Sequence, residues 1–316
     1  MYNVLIIGAG SIGALKPDKY DSPTTEAILT HCHSVKEHPA FRLLGILDTD
    51  KEKVIEAVKK WKCTGYTNFS QINNPEIDVV VIATPTNTHL EIYNRIKHLD
   101  LKAIIIEKPC TDSLEECERL NGDDRIIVNY SRRFLNYYKY LKNAFGMQKV
   151  LSCIVHYVRG LKRDGCHAVD LCRYFFGKIL SVKKLSAGPD DYFPDDTTDC
   201  IWMQAERCSN IVMIPSDGRI ADCFDFHIMT ENGMIELLEH GGKVFYRPVR
   251  LEKEYGNYNV LDGRIESLEP IDLKFTKHLM PSLYNYVYEV ANGCENNRST
   301  VSDALRVHEI IEEVRR

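Results

Sequence analysis

The stretch Val4-Leu5-Ile6-Ile7-Gly8-Ala9-Gly10-Ser11-Ile12-Gly13 decides how the rest of the chain is read. Four consecutive apolar residues form a strand buried on both faces, the environment of a parallel sheet covered by helices. In the Gly-x-Gly-x-x-Gly that follows, each glycine has its own task. The first makes a tight turn, the second lets a pyrophosphate approach the backbone, and the third lets a helix pack directly on the strand. Ser11 and Ile12 fall at the start of that helix, where unpaired N–H groups and the positive dipole end favour an anion.

Four more apolar runs continue the pattern: Leu43–Leu47, Val79–Ala83, Ala103–Ile106 and Ile126–Val128. Charged spacers with apolar residues at helical spacing, such as Lys51–Lys60 and Thr88–His98, lie between them. The alternation predicts a doubly wound α/β dinucleotide-binding domain over residues 1–129. Asp48 closes the second run, where a carboxylate bonds a ribose 2′-hydroxyl. With Thr49 and Asp50 beside it and no arginine, it favours NAD over NADP, whose 2′-phosphate it repels. The spacing is unusual, because Asp48 stands 40 positions after Gly8, against about 20 in the plain motif. Pro17 falls too early for a full first helix. The expectation is a short helical turn after Gly13, a loop through Pro17–Pro23, and a helix from about Thr24 to Glu37.

Beyond residue 130 the texture changes. Val150–Val158, Leu180–Leu185, Cys200–Ala205, Asn210–Ile214, Cys223–Met229 and Met234–Leu238 alternate in polarity or end in turn signals, and Asn232-Gly233 marks a hairpin. Residues 130–316 are therefore expected to form an α+β domain with a mostly antiparallel sheet, closed by an amphipathic helix at Ser302–Arg316.

Composition excludes several classes. The 316 residues carry 40 basic and 45 acidic side chains, a net charge of -5, which leaves no electrostatic footprint for nucleic acid or an anionic membrane. No apolar run reaches the roughly 18 residues of a membrane span, and the opening residues lack the pattern of a signal peptide. The expected location is the cytoplasm. The 11 cysteines include no Cys-x-x-Cys and read as free, mostly buried thiols. His31-Cys32-His33, whose neighbours point about 100° apart on a helix, is read as a packed helix, and no metal is expected.

Gly8–Gly13, Thr84-Pro85 with His89, and Glu107-Lys108-Pro109, in this order, resemble the Gfo/Idh/MocA family of NAD(P)-dependent oxidoreductases. His31 matches a family histidine near the end of the first helix. Asn129 with Arg132-Arg133-Phe134 is similar to the entry into its second domain, and His167-Ala168-Val169-Asp170 to its substrate-domain helix. The resemblance implies a Rossmann domain binding NAD through Gly8, Gly10, Ser11, Ile12, Gly13, Asp48, Thr84, Pro85, Asn87, His89, Glu107 and Lys108. It implies catalysis by Lys108 and His167, which in the family flank the carbon exchanging hydride with nicotinamide. Substrate contacts are expected from Lys108, Arg133, Tyr157, Asp164 and His167.

One departure stands out. The family aspartate four residues before this histidine is replaced by Arg163, and Asp164, three residues before, is the candidate substitute. Members with a similar Arg-Gly upstream resemble sugar-processing proteins of bacterial surface-polysaccharide pathways. The implied substrate is a sugar or nucleotide-linked sugar, and the implied assembly a homo-oligomer, dimer or tetramer, through the C-terminal sheet. Two other readings stand beside a dehydrogenase: a non-catalytic dinucleotide- or sugar-binding regulator, and a redox-neutral NAD-dependent epimerase or lyase.

Overall fold

A computed structural model of the chain describes residues 1–72, 76–189, 193–254, 256–263, 266–267 and 275–316. The first stretch contains strands β1 (Tyr2–Ile7), β2 (Phe41–Leu47), β3 (Thr64–Tyr66), β4 (Val79–Ile82), β5 (Ala103–Ile106) and β6 (Ile126–Val128). Between them lie helices α1 (His31–Glu37), α2 (Lys51–Trp61), α3 (His89–Ile96) and α4 (Leu114–Glu118). Next come α5 (Asn136–Gly146), β7 (Val150–Tyr157), a π-helical turn (Gly160–Gly165) and α6 (Cys166–Phe176). Strands β8 (Ile179–Ser186), β9 (Cys200–Ala205), β10 (Cys208–Pro215), β11 (Phe224–Thr230), β12 (Gly233–Leu238), β13 (Lys243–Glu252), β14 (Tyr258–Leu261) and β15 (Glu266–Ser267) follow. Helices α7 (Phe275–Ala291) and α8 (Val301–Arg315) close the chain.

Two compact units result: Met1–Leu135 with Thr276–Arg306, and Asn136–Phe275 with Val307–Arg316. Where the texture of the sequence divides the chain once, near residue 130, the fold returns residues 276–306 to the first unit. In that unit six parallel strands run in the order β3-β2-β1-β4-β5-β6. This is the doubly wound order in which two βαβ halves diverge from β1 and β4. Strands β4 and β5 are buried along their whole length, as their unbroken Val and Ile runs require. The edge strand β3 is short, largely exposed and absent from the sequence reading. The register pairs Ile7 with Leu47 and Ile82, Ile82 with Ile106, and Ile106 with Val128. Gly8, Asp48, Ala83, Glu107 and Asn129 therefore emerge in a row along one edge of the sheet.

The expected helix from Thr24 begins only at His31. Its first backbone bonds explain why: His31 N–H donates to the Ile12 carbonyl and Cys32 N–H to that of Gly13, both at 3.0 Å. Each bond spans 19 positions, 15 more than the four of a helical turn. The turn started by Gly10, whose carbonyl accepts from Ala14 and Leu15, is thus resumed by α1 after a 15-residue excursion. With the excursion removed, Asp48 stands 25 positions after Gly8, close to the plain motif. The excursion is organised by Asp21, fully buried, which accepts from Leu29 N–H (2.9 Å), the Thr30 hydroxyl (2.7 Å) and the His33 ring (2.8 Å). Thr24–Thr30 wraps this carboxylate instead of forming a helix, and Thr30 caps α1.

The second unit holds one sheet in the order β14-β13-β12-β11-β7-β10-β9-β8, with β15 also paired to β13. All its pairings are antiparallel except β7 with β10. The hairpin signal holds, with Thr230 pairing Gly233 across a loop of Glu231 and Asn232. Cys153, Val155 and Tyr157 of β7 alternate inward with Phe224, Phe226 and Ile228 of β11, and all are buried. Helices α5 and α6 meet through stacked Tyr138 and Phe175, their centroids 5.7 Å apart.

Burial pushes the Asp21 carboxyl up, but its bonds to His33, Leu29 and Thr30 outweigh that and hold it below its ordinary 3.8. A carboxyl lowered by folding stabilises the fold above its unfolded pKa, and this contribution is lost as pH falls through the folded value. Asp21→Asn is expected to cost about 2–4 kcal/mol at neutral pH. In parallel denaturant titrations the gap between variant and parent should close below about pH 4.

Candidate dinucleotide site

The glycine loop shows three different constraints. Gly8 adopts φ +106°, and a Cβ there would overlap the Ala83 backbone. A Cβ on Gly13 would overlap the Gly8 carbonyl oxygen, so the resumed helix lies directly on the end of β1. A Cβ on Gly10 would meet nothing within 4 Å. Only Gly10 faces open space, and it faces into a cleft of about 790 Å³. Gly8, Ser11, Ile12, Asp48, Thr84 and Pro85 line the same cleft, all within the first unit.

Asp48 is fixed from two sides, accepting from Ala9 N–H (2.8 Å) and Asp50 N–H (2.9 Å). The cleft also receives Lys53, Phe69 and Arg95, which the sequence reading missed. They come from α2, a 3₁₀ turn and α3, so no linear motif joins them. Both cations have carboxylate partners: Lys53 lies 3.6 Å from Asp50 and Arg95 lies 2.8 Å from Glu91. Arg95 also sits over the Phe69 ring at 5.4 Å. From the excursion, Lys16 Nζ reaches within 3.4 Å of the Ser11 hydroxyl.

Farther along the sheet edge, Glu107 ends β5 and precedes the cis Lys108-Pro109 bond. Its Oε1 accepts from His31 Nε2 at 2.9 Å and from the Asn129 amide nitrogen at 2.5 Å. His31 Nδ1 meets the Tyr284 hydroxyl at 2.9 Å. Burial pushes the Glu107 carboxyl up, yet the His31 and Asn129 bonds and the Lys108 charge overcome this and hold it below the usual carboxylate range. Burial, reinforced by Cys32 and Glu107, pushes the Tyr284 phenol far above its ordinary value. Tyr284 therefore keeps its proton and donates to His31, whose Nε2–H donates to the carboxylate.

Other expected site residues have local partners. His89 is buried outside the cleft, its ring nitrogens on the carbonyls of Cys110 (3.0 Å) and Thr84 (2.9 Å), so it ties together the loops after β4 and β5. Asn87 is exposed in a 3₁₀ turn and does not line the cleft. Arg133, expected to touch substrate, is buried, donates to the Arg298 carbonyl (2.7 Å) and pairs with Asp303 (3.0 Å). Tyr157 is fully buried in the second unit and donates to the Asp199 carbonyl at 2.5 Å.

In that unit Asp164 lies on the π-helical turn and His167 in the first turn of α6, with the His167 ring 6.4 Å from that of Phe224. The turn starts from left-handed Arg159 and Gly160, and the Asp196 carboxylate accepts from Lys162 N–H (2.9 Å) and Arg163 N–H (2.8 Å). The Arg163 guanidinium packs over Phe193 at 3.9 Å and pairs with Asp195 at 3.1 Å. Among the described residues no His, Cys, Asp and Glu cluster is arranged to hold a metal ion.

The glycine cradle, the carboxylate at the end of β2 and the open cleft at the strand reversal define a doubly wound dinucleotide-binding domain. The donor set fits a dinucleotide: Gly10 leaves the space a pyrophosphate needs, and the buried Asn129 carbonyl oxygen has no partner among the described residues. Residues 2–122 match the Gfo/Idh/MocA family model, described as an oxidoreductase family with an NAD-binding Rossmann fold, and over these residues the chain belongs to that family.

A UDP-N-acetylglucosamine 3-dehydrogenase from Acidithiobacillus ferrooxidans is 25% identical over 153 residues, 46% of this chain and 43% of that protein. The match thus spans less than half of the curated relative's length. A 3-ketoreductase from Actinomadura kijaniata solved with NADP is 12% identical with a TM-score of 0.70, covering 99% of this chain and 96% of that one. An oxidoreductase from Agrobacterium radiobacter solved with NAD+, L-tartaric acid and magnesium is 14% identical with the same TM-score of 0.70, covering 99% and 95%. At these identities the structural likenesses establish the fold.

The two later glycines separate binding from folding. Gly10→Val should leave stability within about 0.5 kcal/mol, while weakening NADH binding more than about tenfold. Gly13→Ala should cost about 1–3 kcal/mol in denaturant unfolding, because the helix must move off β1.

Proposed function

We propose that the protein is an NAD-dependent oxidoreductase acting between a hydroxyl and a keto carbon of a sugar or nucleotide-linked sugar. The observation that carries this reading is the single row of Gly8, Asp48, Thr84 and Glu107-Lys108 at the C-terminal edge of one parallel sheet. The match to a curated nucleotide-sugar dehydrogenase supports the substrate class. Bound nicotinamide would accept or donate the hydride. Lys108 holds the reacting oxygen and stabilises developing alkoxide charge. His167 removes the hydroxyl proton during oxidation or returns it during reduction, with Asp164 beside it in sequence as its acidic partner.

Arg163 favours a second reading. The side chain at the usual aspartate position is committed to Phe193 and Asp195, which suits a binder without turnover on the same fold. We place assembly as a homo-oligomer on the open face of the second sheet, where Ile154 remains 40% exposed in the middle of β7.

Lys108→Ala is expected to lower turnover by about two orders of magnitude or more while NADH affinity changes little. Product analysis over a panel of sugars and nucleotide sugars supplies the assay, and unchanged turnover removes Lys108 from the mechanism. Fluorescence titration should show tighter binding of NADH than NADPH, and Asp48→Ala should narrow that difference. Equal affinities in the parent protein would refute the ribose assignment.

A further inference from the structure

Four polar side chains from distant parts of the first unit form one buried line. Tyr284 of α7 donates to His31 of α1, His31 to Glu107 after β5, and Asn129 after β6 donates to the same Glu107 oxygen. Tyr284 and His31 are fully buried and Asn129 is 3% exposed. The line fixes the orientation of Asn129. An amide nitrogen can donate to a carboxylate and an amide oxygen cannot, so the nitrogen faces Glu107 and the carbonyl oxygen is turned away. That oxygen accepts no hydrogen bond among the described residues, although it is out of reach of solvent. A buried acceptor left unpaired is costly, and such groups in folded proteins normally await a water or a ligand.

Its place on the sheet says which ligand. The adenosine side of the cleft is at the ends of β2, β1 and β4, with Asp48, Gly10 and Pro85. Asn129 follows β6, two strands beyond β4, or about 10 Å at the usual strand spacing. A dinucleotide laid along this edge from Asp48 carries its second base toward β5 and β6, past Lys108. The group on that base able to supply an N–H is the carboxamide.

We propose that Asn129 is a binding residue for the nicotinamide carboxamide, its carbonyl oxygen accepting from the amide NH₂. Tyr284, His31 and Glu107 act as positioning residues that hold it in that orientation. The inference rests on the dinucleotide reading above and adds the recognition of the second base to it.

Binding to the full-length protein tests it with three probes: NADH, the reduced 3-acetylpyridine analogue, and ADP-ribose. The analogue replaces the amide NH₂ by a methyl group, and ADP-ribose lacks the base. Wild-type protein should bind NADH about five- to tenfold more tightly than the analogue, the worth of one hydrogen bond. Asn129→Ala should erase that preference and leave ADP-ribose affinity unchanged.

Tyr284→Phe, which removes one hydroxyl and keeps the ring, should reduce the preference with ADP-ribose again unchanged. Equal wild-type affinity for NADH and the analogue overturns the proposal without any variant. So does an Asn129→Ala protein weakened equally toward NADH and ADP-ribose, the mark of a structural role. Wild-type protein that binds neither NADH nor ADP-ribose overturns the dinucleotide reading, and this inference with it.

Discussion

A carboxylate at the end of a buried strand remains ionised only if the fold brings donors to it, because removing a charge from water costs far more than one contact returns. Glu107 imposes that requirement on the first unit. Its donors come from α1 and from the end of β6, and the α1 donor is itself held by α7. Residues 276–306 must therefore return to a sheet built from the first 130 positions. The return is secured elsewhere too: Ser299 exchanges hydrogen bonds with Val128 at 2.7 and 2.8 Å, and Asn297 donates to the Ile126 carbonyl. These bonds occupy the outer side of β6, which would otherwise present an open strand edge.

The interrupted first helix shows how a doubly wound domain takes an insertion without losing its cradle. The hydrogen bonds to Ile12 and Gly13 carbonyls are those of a continuous helix, so the dipole and the contact of Gly13 with β1 are preserved. Closing a loop of this length costs little more than closing a shorter one. Local anchors offset that cost: Asp21 at its centre, and Lys60, which binds the Lys16 carbonyl at 2.6 Å and Asp18 at 3.0 Å. Trp61 adds a bond to the Ala14 carbonyl just before the excursion leaves.

The parallel strands were legible because each is a short apolar run with no competing period, and the glycine loop because its context is local. The start of α1 was not legible. Nothing in Thr24–Thr30 announces that a carboxylate three residues upstream will capture its backbone and hydroxyl donors. The return of 276–306 was hidden for a related reason. Tyr284 reads as one of several tyrosines in an aromatic stretch, and only its partner on α1 distinguishes it. Arg133 and Tyr157 illustrate the opposite error. Their residue types suit a ligand, but the nearest acceptors are backbone carbonyls inside their own units, and those bonds fill the donors.

The charge pattern of the cleft bears on which dinucleotide suits it. Asp48 is held by two backbone N–H groups, so it cannot swing aside to admit a phosphate. Lys53 and Arg95, the cations able to receive one, already face Asp50 and Glu91. Counted together, these five side chains leave one net negative charge. A 2′-phosphate would add nearly two more within a few ångströms of Asp48, a repulsion of a few kcal/mol near a protein surface. Both exposed pairs are weak enough to break, but releasing either cation also uncovers a carboxylate. The neutral 2′-hydroxyl of NAD meets no such repulsion and finds the Asp48 carboxylate as its acceptor, so the preference follows from paired charges as much as from the acid at the end of β2.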